Sequence, residues 1–264
     1  MKYKLLNSYA LSNHLNKASF TTTNDQIIQY LYEHRDTFQN QSLSEIVKSS
    51  FFSQSSFSRF FQSNHVKSFQ EYKVIFSKYE GQFSQFFTGF TRSFKKDSEE
   101  KIISDVIAEN IENVEAVGQI PKEQLYAVLQ IIHKYNRIIF MGSDFSMAAL
   151  TVFQHILIYE GKNCYLLSNF EGQETFSSRL QKDDLVIVVS IKQRWYSDEA
   201  IGDTIPNLLN SKAYKMLWTL EENHKDKDKF DYVFQFGKHI NGFSYTQLTT
   251  LSPILTNLYC KKYL

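Results

Sequence analysis

The chain has 264 residues, 42% of them hydrophobic, and a formal net charge of +1. This length allows one large domain or two ordinary ones, with enough apolar residues for buried cores. The balanced charge excludes a protein that is polycationic over its whole surface, but it allows a local basic face. Residues 1–80 carry nine Lys and Arg against six Asp and Glu, so the excess positive charge lies in the first third of the chain.

Nothing in the sequence indicates export, membrane insertion or a metal centre. The N-terminus lacks the sustained apolar segment of a signal peptide, and no run of about 18 apolar residues occurs. Cys164 and Cys260 are far apart, which argues against a zinc site or a disulfide framework, and Cys164 is expected to be a buried thiol. His133, His155 and His239 lack the spacing of metal ligands. We therefore expect a soluble, cytoplasmic protein without a metal or other cofactor.

The first 80 residues have the pattern of a small all-helical domain. Thr23 followed by Gln26 has the spacing of a capping box, and it predicts a helix that ends near Phe38. Ser42 followed by Glu45 has the same spacing and predicts the start of a second helix. A third helix is predicted to follow the second after a short turn.

That third helix, residues 53–62, is predicted to have two chemically different faces. Phe57, Phe60 and Phe61 recur on one side. The other side carries hydrogen-bonding groups and one guanidinium, on Gln54, Ser55, Ser58, Arg59 and Gln62. A helix that is apolar behind and hydrogen-bonding in front suits insertion into a DNA major groove. We therefore predict a helix-turn-helix with this stretch as its recognition helix, capped by Ser53.

Several side chains in and beside this helix are candidate DNA contacts: Lys48, Ser53, Gln54, Ser55, Ser56, Ser58, Arg59 and Lys67. Arg59 is the first choice, because a guanidinium bonds well to either guanine or phosphate. Two alternatives stay open. The polar face can be an ordinary solvated helix surface, and Arg59 can pair internally with Glu45 or Glu71.

The middle of the chain predicts further helices. Residues 81–97 contain five phenylalanines, which is unusual for a free linker, so we expect them to pack on another surface, such as a second subunit. Residues 99–117 have apolar side chains at helical spacing, at Ile103, Val106, Ile107, Ile111 and Val114. Pro121 suits the first turn of the helix that follows.

From Arg137 onward, short apolar strands alternate with helices. Strands are predicted at residues 138–141, 163–167, 185–189, 214–220 and 232–236. Uninterrupted Val and Ile runs are typical of a parallel sheet that is covered on both faces. The second half is therefore predicted to be a doubly wound α/β domain with a mostly parallel five-stranded sheet.

From about residue 20 to the end, the chain resembles the RpiR-type bacterial transcription regulators. The resemblance lies in SQSSFSRFFQSNHVKSFQEYK (53–73), IIFMGSDFS (138–146), YEGKN (159–163) and LQKDDLVIVVS (180–190). Members of that family join an N-terminal helix-turn-helix to a C-terminal sugar-isomerase (SIS) domain that senses phosphorylated sugars. The resemblance implies a helix-turn-helix domain at 1–80, a helical linker at 81–120 and an SIS-like domain at 121–264.

The resemblance also implies a function. It points to a DNA-binding regulator rather than an enzyme, by family default a repressor of sugar-metabolism genes. Such a protein pairs two helix-turn-helix units on a double-stranded operator, as a homodimer or tetramer. Its effector would be a phosphorylated sugar or another small anion. Two alternatives remain: the SIS-like half serves only for dimerisation, or the chain is a sugar-phosphate isomerase with the same α/β fold.

The effector residues follow from the family's two phosphate-binding loops, which place Ser143, Ser146, Ser190, Lys192 and Gln193 in the site. Both loops depart from the family pattern. Asp144 replaces a glycine in the first loop, and a carboxylate beside a phosphate is repulsive by about 1 kcal/mol even in water. The second loop, residues 190–195, keeps only the first serine of the usual Ser-x-Ser-Gly-x-Thr.

The first domain departs from the family at three turn positions that are usually glycine. They are occupied here by Phe51, His65 and Ser68. If the turn at Phe51 requires a positive φ, the phenylalanine costs about 1–2 kcal/mol.

Overall fold

The computed structural model describes residues 7–16, 18–80, 97–191, 203–224, 226–238 and 243–264. The chain divides into two compact units, one ending at Asp97 and the other beginning at Ser98. Each unit has a hydrophobic core of its own.

The first unit is all-helical. Its helices are α1 (Ser8–Leu15), α2 (Thr23–Glu33), α3 (Leu43–Ser49), α4 (Gln54–Ser63) and α5 (residues 69–80), with one 3₁₀ turn at Phe38–Asn40. Aromatic side chains fill its core. The Phe38 ring lies 4.9 Å from that of Phe76, and the Phe61 ring lies 5.3 Å from that of Tyr72.

The capping prediction is confirmed for α3 and wrong by one residue for α2. Ser42 and Glu45 form the reciprocal capping box of α3. In α2 the cap is Thr22, whose extended backbone lets its hydroxyl accept a hydrogen bond from the Asp25 amide. The helix also ends at Glu33, earlier than predicted, because a turn separates it from the 3₁₀ segment.

The second unit has a five-stranded sheet. Its elements are α6 (Glu99–Gly118), α7 (Lys122–Lys134), β1 (Arg137–Gly142), α8 (Asp144–Ala149), α9 (Thr151–Tyr159), β2 (Asn163–Leu167), α10 (Phe170–Ser177), β3 (Asp184–Val189), α11 (Thr204–Asn210), β4 (Tyr214–Thr219), β5 (Tyr232–Gln235) and α12 (Tyr245–Tyr263). The strand order is β2-β1-β3-β4-β5, and every pairing between the described strands is parallel. The predicted fold class, an all-α unit followed by a doubly wound α/β unit, is confirmed.

Alternate residues of each central strand face opposite layers of helices. On β1, Ile138 and Phe140 belong to the core under α7, α9 and α12. Ile139 and Met141 belong to the core under α10 and α11. Because both sheet faces are covered, these strands have no polar face, which explains their uninterrupted apolar runs.

The helical segment that follows β1 is divided at Leu150 into α8 and α9. Cys164 is a buried free thiol, as expected, and burial raises its pKa to about 12. Among the described residues, no helix is both long enough and apolar enough to cross a membrane.

Candidate nucleic-acid interface and anion site

Helices α3 and α4 form a helix-turn-helix. They are joined by residues 50–53, a connection of the length typical of this motif. The Phe52 ring lies edge-on to those of Phe57 and Tyr30, at 5.8 and 6.4 Å. The Tyr30 hydroxyl is 2.6 Å from the Ser49 hydroxyl at the end of α3. These contacts fix the turn, and hence the direction in which α4 leaves it.

Helix α4 has the two faces that its sequence predicts. Phe57, Phe60 and Phe61 are buried in the core of the first unit. The side chains on the opposite side are exposed at Gln54, Ser55, Arg59 and Gln62, and half-buried at Ser56 and Ser58. The buried rings anchor the helix, which leaves its polar face available to a ligand.

The serines of α4 are mainly occupied in local hydrogen bonds. The Ser53 hydroxyl accepts from the Ser56 amide at 3.2 Å and lies 2.8 and 2.9 Å from the Ser55 and Ser56 hydroxyls. The Ser58 hydroxyl donates to the Gln54 carbonyl at 2.9 Å. The serines therefore organise the first turn of the helix and hold their hydroxyls in defined positions.

Arg59 has no hydrogen-bond or ion-pair partner among the described residues. The two carboxylates proposed as alternative partners are engaged elsewhere. Glu45 accepts from the Ser42 amide at 2.6 Å, and hydrogen bonds from Ser42 hold the pKa of Glu45 below its ordinary value. Glu71 accepts from the Lys67 amide at 2.6 Å. The expected alternative of an internal salt bridge is therefore not seen within the described part of the chain.

The surface around α4 is favourable to anions. Lys48, Arg59 and Lys67 are exposed, on α3, on α4 and in the turn after α4. The first turn of α4 contains no acidic residue. The partial positive charge of the helix N-terminus is thus uncompensated, as suits a phosphate contact.

The residue with a left-handed backbone in this region is His65, in the turn after α4, and not Phe51. Among the described residues, only Phe20 and His65 are non-glycine residues with a positive φ, and φ of His65 is 59°. The His65 amide bonds the Gln62 carbonyl and the Val66 amide bonds the Phe61 carbonyl, which is the Schellman ending of a helix. The positive φ considered for Phe51 is therefore found at His65 instead, because this type of helix end requires one residue with a left-handed backbone.

The candidate anion site lies at the carboxyl ends of β1 and β3. Gly142 pairs with Val189, so the next residues, Ser143 and Ser190, leave neighbouring strands at the same edge. A side chain at Gly142 would meet the Val189 carbonyl at 2.9 Å, so the two strand ends can approach this closely only with glycine there.

Three predicted effector residues lie in this region. The Ser143 hydroxyl caps α8 and lies 3.0 Å from the hydroxyl of Ser146, which is buried. Ser190 is also buried, and its hydroxyl has no hydrogen-bond partner among the residues that the structure describes. Lys192 and Gln193 lie outside the described residues.

Two further polar residues in this half of the molecule were not predicted from the sequence. Buried Gln173 donates to the carbonyls of Gly142 and Leu167 at 2.8 and 2.9 Å, and so joins the ends of β1 and β2. Buried Thr204, in the first turn of α11, has a hydroxyl without a hydrogen-bond partner in the described ranges. Neither belongs to a local motif, so only the folded chain identifies them.

Several solved structures are similar to this one, although sequence comparisons find no match. No family model matches the chain, and no curated protein matches its sequence. The Vibrio vulnificus NanR protein in complex with ManNAc-6P is 14% identical, with a TM-score of 0.51 over 96% of this chain and 92% of that chain. The sugar isomerase domain of an RpiR transcription factor from Sphaerobacter thermophilus is 18% identical, with a TM-score of 0.52 over 61% and 91%.

A Listeria monocytogenes protein with the provisional description of sugar-phosphate isomerase is 14% identical, with a TM-score of 0.50 over 62% of this chain and 92% of that chain. At such low identities these likenesses establish the fold. The second unit has the sugar-isomerase-domain fold, and the likeness to NanR extends over both units. The resemblance to RpiR-type regulators is thus confirmed at the level of fold.

Proposed function

We propose that the chain is a DNA-binding transcription regulator that acts as a homo-oligomer on a two-fold operator. The observation that carries this proposal is α4, whose phenylalanine face is buried while its polar face is exposed. Arg59 stands on that face without an internal partner. From the resemblance to RpiR-type regulators, whose default is repression, we propose repression of sugar-metabolism genes.

In this proposal α4 enters the major groove and the flanking positive groups hold the phosphates. Gln54 and Arg59 suit adenine and guanine edges respectively. Lys48, Lys67 and the N-terminus of α4 suit the phosphates. The serines that close the first turn would hold the helix in one position during binding.

The test uses genomic fragments selected by the full chain, whose binding is then measured with the Arg59→Ala variant. We expect a loss of affinity of about 10- to 100-fold, since a charge-assisted hydrogen bond contributes about 1.5–3 kcal/mol. Discrimination at the contacted base pair should also relax, because the lost contact is to a base edge.

Arg35→Ala is the matched control, because Arg35 is the other arginine of residues 1–80. Its guanidinium donates to the Tyr32 carbonyl and stacks on the Tyr32 ring. Arg35→Ala removes the same charge from the same unit as Arg59→Ala does. Equal affinities for the two variants would remove Arg59 from the interface, and binding insensitive to salt would contradict a phosphate-tracking surface.

We propose further that the second unit binds a phosphorylated sugar or a similar small anion at the carboxyl ends of β1 and β3. The unpartnered, buried Ser190 hydroxyl supports this, because a buried hydroxyl without a partner is unfavourable unless a ligand satisfies it. Binding would favour one relative placement of the two DNA-reading helices and so change operator affinity.

The competing proposal is that the second unit only dimerises, and Asp144 beside Ser143 favours it, because a carboxylate there repels phosphate. Thermal unfolding with a panel of sugar phosphates separates the two. A saturable rise in melting temperature supports an effector, and no rise with any compound supports the dimerisation role.

Ser190→Ala sharpens the ligand test. Without ligand it should leave the melting temperature unchanged or slightly raised, since the hydroxyl has no partner to lose. With ligand it should reduce the rise seen for the unaltered chain. Conversion of a sugar phosphate to an isomer by the unaltered chain would instead favour an enzyme.

A further inference from the structure

Helix α6 presents its most apolar face to solvent. Ile103, Ile107, Ile111 and Val114 are 60%, 55%, 52% and 46% exposed, and their spacing places them along one face of the helix. We call these four residues the α6 stripe. The buried residues of α6 are Asn113 and Val117. Exposed apolar residues scattered singly are ordinary, but a row of four along a helix marks an interaction surface.

The rotation of α6 is set by hydrogen bonds to α12. The Gln247 side chain donates to Asn113 at 2.8 Å, and the Thr246 hydroxyl donates to Asn110 at 2.7 Å. Gln247 and Asn113 are both fully buried, so rotating the helix to bury the isoleucines would leave these amides unsatisfied. The outward position of the α6 stripe is therefore a stable feature of the fold.

The α6 stripe is free of charge, although α6 as a whole is acidic. The helix carries six Asp and Glu against one Lys. At 100° per residue, Asp105, Glu109 and Glu112 project well away from the stripe. Glu100 lies on the same face, one turn before Ile103, and Glu115 lies about 40° to one side of Ile111. An uncharged apolar strip with charges kept to its margins is typical of the centre of a protein interface.

The exposed area is sufficient for a pair of copies when the neighbouring aromatics are included. Tyr245 precedes Thr246, which is bonded to α6, and its ring lies 6.2 Å from that of Phe145. These two side chains are 43% and 63% exposed. At about 100 Å² for each of the six side chains, two copies would bury about 1,200 Å², the lower end of the range for specific interfaces.

We propose that the α6 stripe is the surface on which a second copy of this chain docks. The two α6 helices cross antiparallel about a two-fold axis, so that Ile107 of each copy meets Ile111 of the other. This alignment sets Glu100 opposite Gly118 of the second copy, so these carboxylates do not face each other. The proposal rests on the homo-oligomer of the proposed function and assigns its surface.

The experiment is sedimentation velocity of the full chain without DNA. The unaltered chain and Ala108→Glu should be dimers at a concentration where Ile107→Glu is a monomer. Ala108→Glu adds the same charge one residue along, on an exposed position about 100° away from Ile107. A circular-dichroism spectrum equal to that of the unaltered chain would show that Ile107→Glu is folded and acts on association. The melting temperature of the unaltered chain should rise with protein concentration, and that of Ile107→Glu should not.

A mixing experiment tests the alignment independently. Ile107→Glu and Ile111→Lys should each be monomers, and their mixture should form heterodimers, because the proposed pairing sets the glutamate of one against the lysine of the other. Failure of the mixture to associate would overturn the alignment.

Other outcomes separate this proposal from the proposed function. A chain that is monomeric at all concentrations, or an Ile107→Glu variant that remains a dimer, would overturn the assignment of the α6 stripe while leaving DNA binding by α4 untouched. If the chain is a dimer that does not bind DNA, the assignment of the α6 stripe stands and the proposed function is wrong. Arg59→Ala should remain a dimer.

Discussion

Replacing His65 with glycine should make the first unit more stable. His65 ends α4 with a φ of 59°, in the left-handed region that favours glycine. Its side chain is exposed, so its removal should cost little packing. The backbone hydrogen bonds of this turn belong to the main chain and survive the substitution.

The expected gain is the difference between two effects. A non-glycine residue in the left-handed region costs about 1–2 kcal/mol. Glycine returns about 0.5–1 kcal/mol of that, because it gives the unfolded chain more conformational freedom. We therefore expect His65→Gly to stabilise the first unit by about 0.5–1 kcal/mol, which corresponds to a rise of about 0.5 M in its urea midpoint.

Phe51→Gly and Ser68→Gly are the matched controls, since glycine is usual in the related family at all three positions. Neither Phe51 nor Ser68 has a positive φ, and the Ser68 hydroxyl accepts a hydrogen bond from the Glu71 amide. Both controls should therefore lower the stability, by up to about 1 kcal/mol.

The assay is urea unfolding of the full chain followed by two signals. Both tryptophans, Trp195 and Trp218, lie in the second unit, so their fluorescence reports that unit alone. Far-ultraviolet circular dichroism reports both units. The circular-dichroism transition that has no counterpart in fluorescence belongs to the first unit. His65→Gly should raise the urea midpoint of that transition and leave the fluorescence midpoint unchanged. A lowered first-unit midpoint for His65→Gly, or a gain equal to that of Phe51→Gly, would refute the reasoning.

Two further predictions concern polar contacts. Tyr259→Phe should lower the fluorescence midpoint of the second unit by the equivalent of about 1–3 kcal/mol, because the buried Tyr259 hydroxyl donates to Glu160 and lies 3.0 Å from His133. Tyr263→Phe should change little, since the Tyr263 hydroxyl has no hydrogen-bond partner in the described part of the chain. Equal effects of the two substitutions would contradict this. Hydrogen bonds from His14 and Thr22 hold the pKa of Asp25 below its ordinary value, so its stabilisation of the first unit is present above about pH 4 and disappears as the pH falls through the lowered folded-state pKa. Asp25→Asn should therefore flatten the circular-dichroism stability profile below about pH 4, and an unchanged profile would exclude Asp25 as its source.

Much of the helix-turn-helix could be predicted from local sequence. Phe57, Phe60 and Phe61 fall on one helical face whatever the rest of the chain does, because the spacing alone decides it. Ser42 with Glu45 fixes a helix start through bonds within four residues. The register of the α2 cap was missed because threonines at three successive positions, 21–23, offer equivalent hydroxyls.

The anion site was predicted less completely, because it is assembled from distant parts of the chain. Ser143 and Ser190 could be named from their places after apolar strands. Gln173 and Thr204 could not, since their position depends on how helices α10 and α11 lie over the sheet. The predicted contributions of Lys192 and Gln193 lie outside the described residues and stay predictions.

The sequence by itself determined the two kinds of unit, the parallel sheet and the two faces of α4, because each follows from a short-range period of apolar residues. It also predicted that α6 is an amphipathic helix. Only the tertiary structure decided which face of α6 turns inward. The Thr246 hydroxyl and the buried Gln247 amide of α12 donate to Asn110 and Asn113, and that requirement outweighs the burial of Ile107 and Ile111 within one copy.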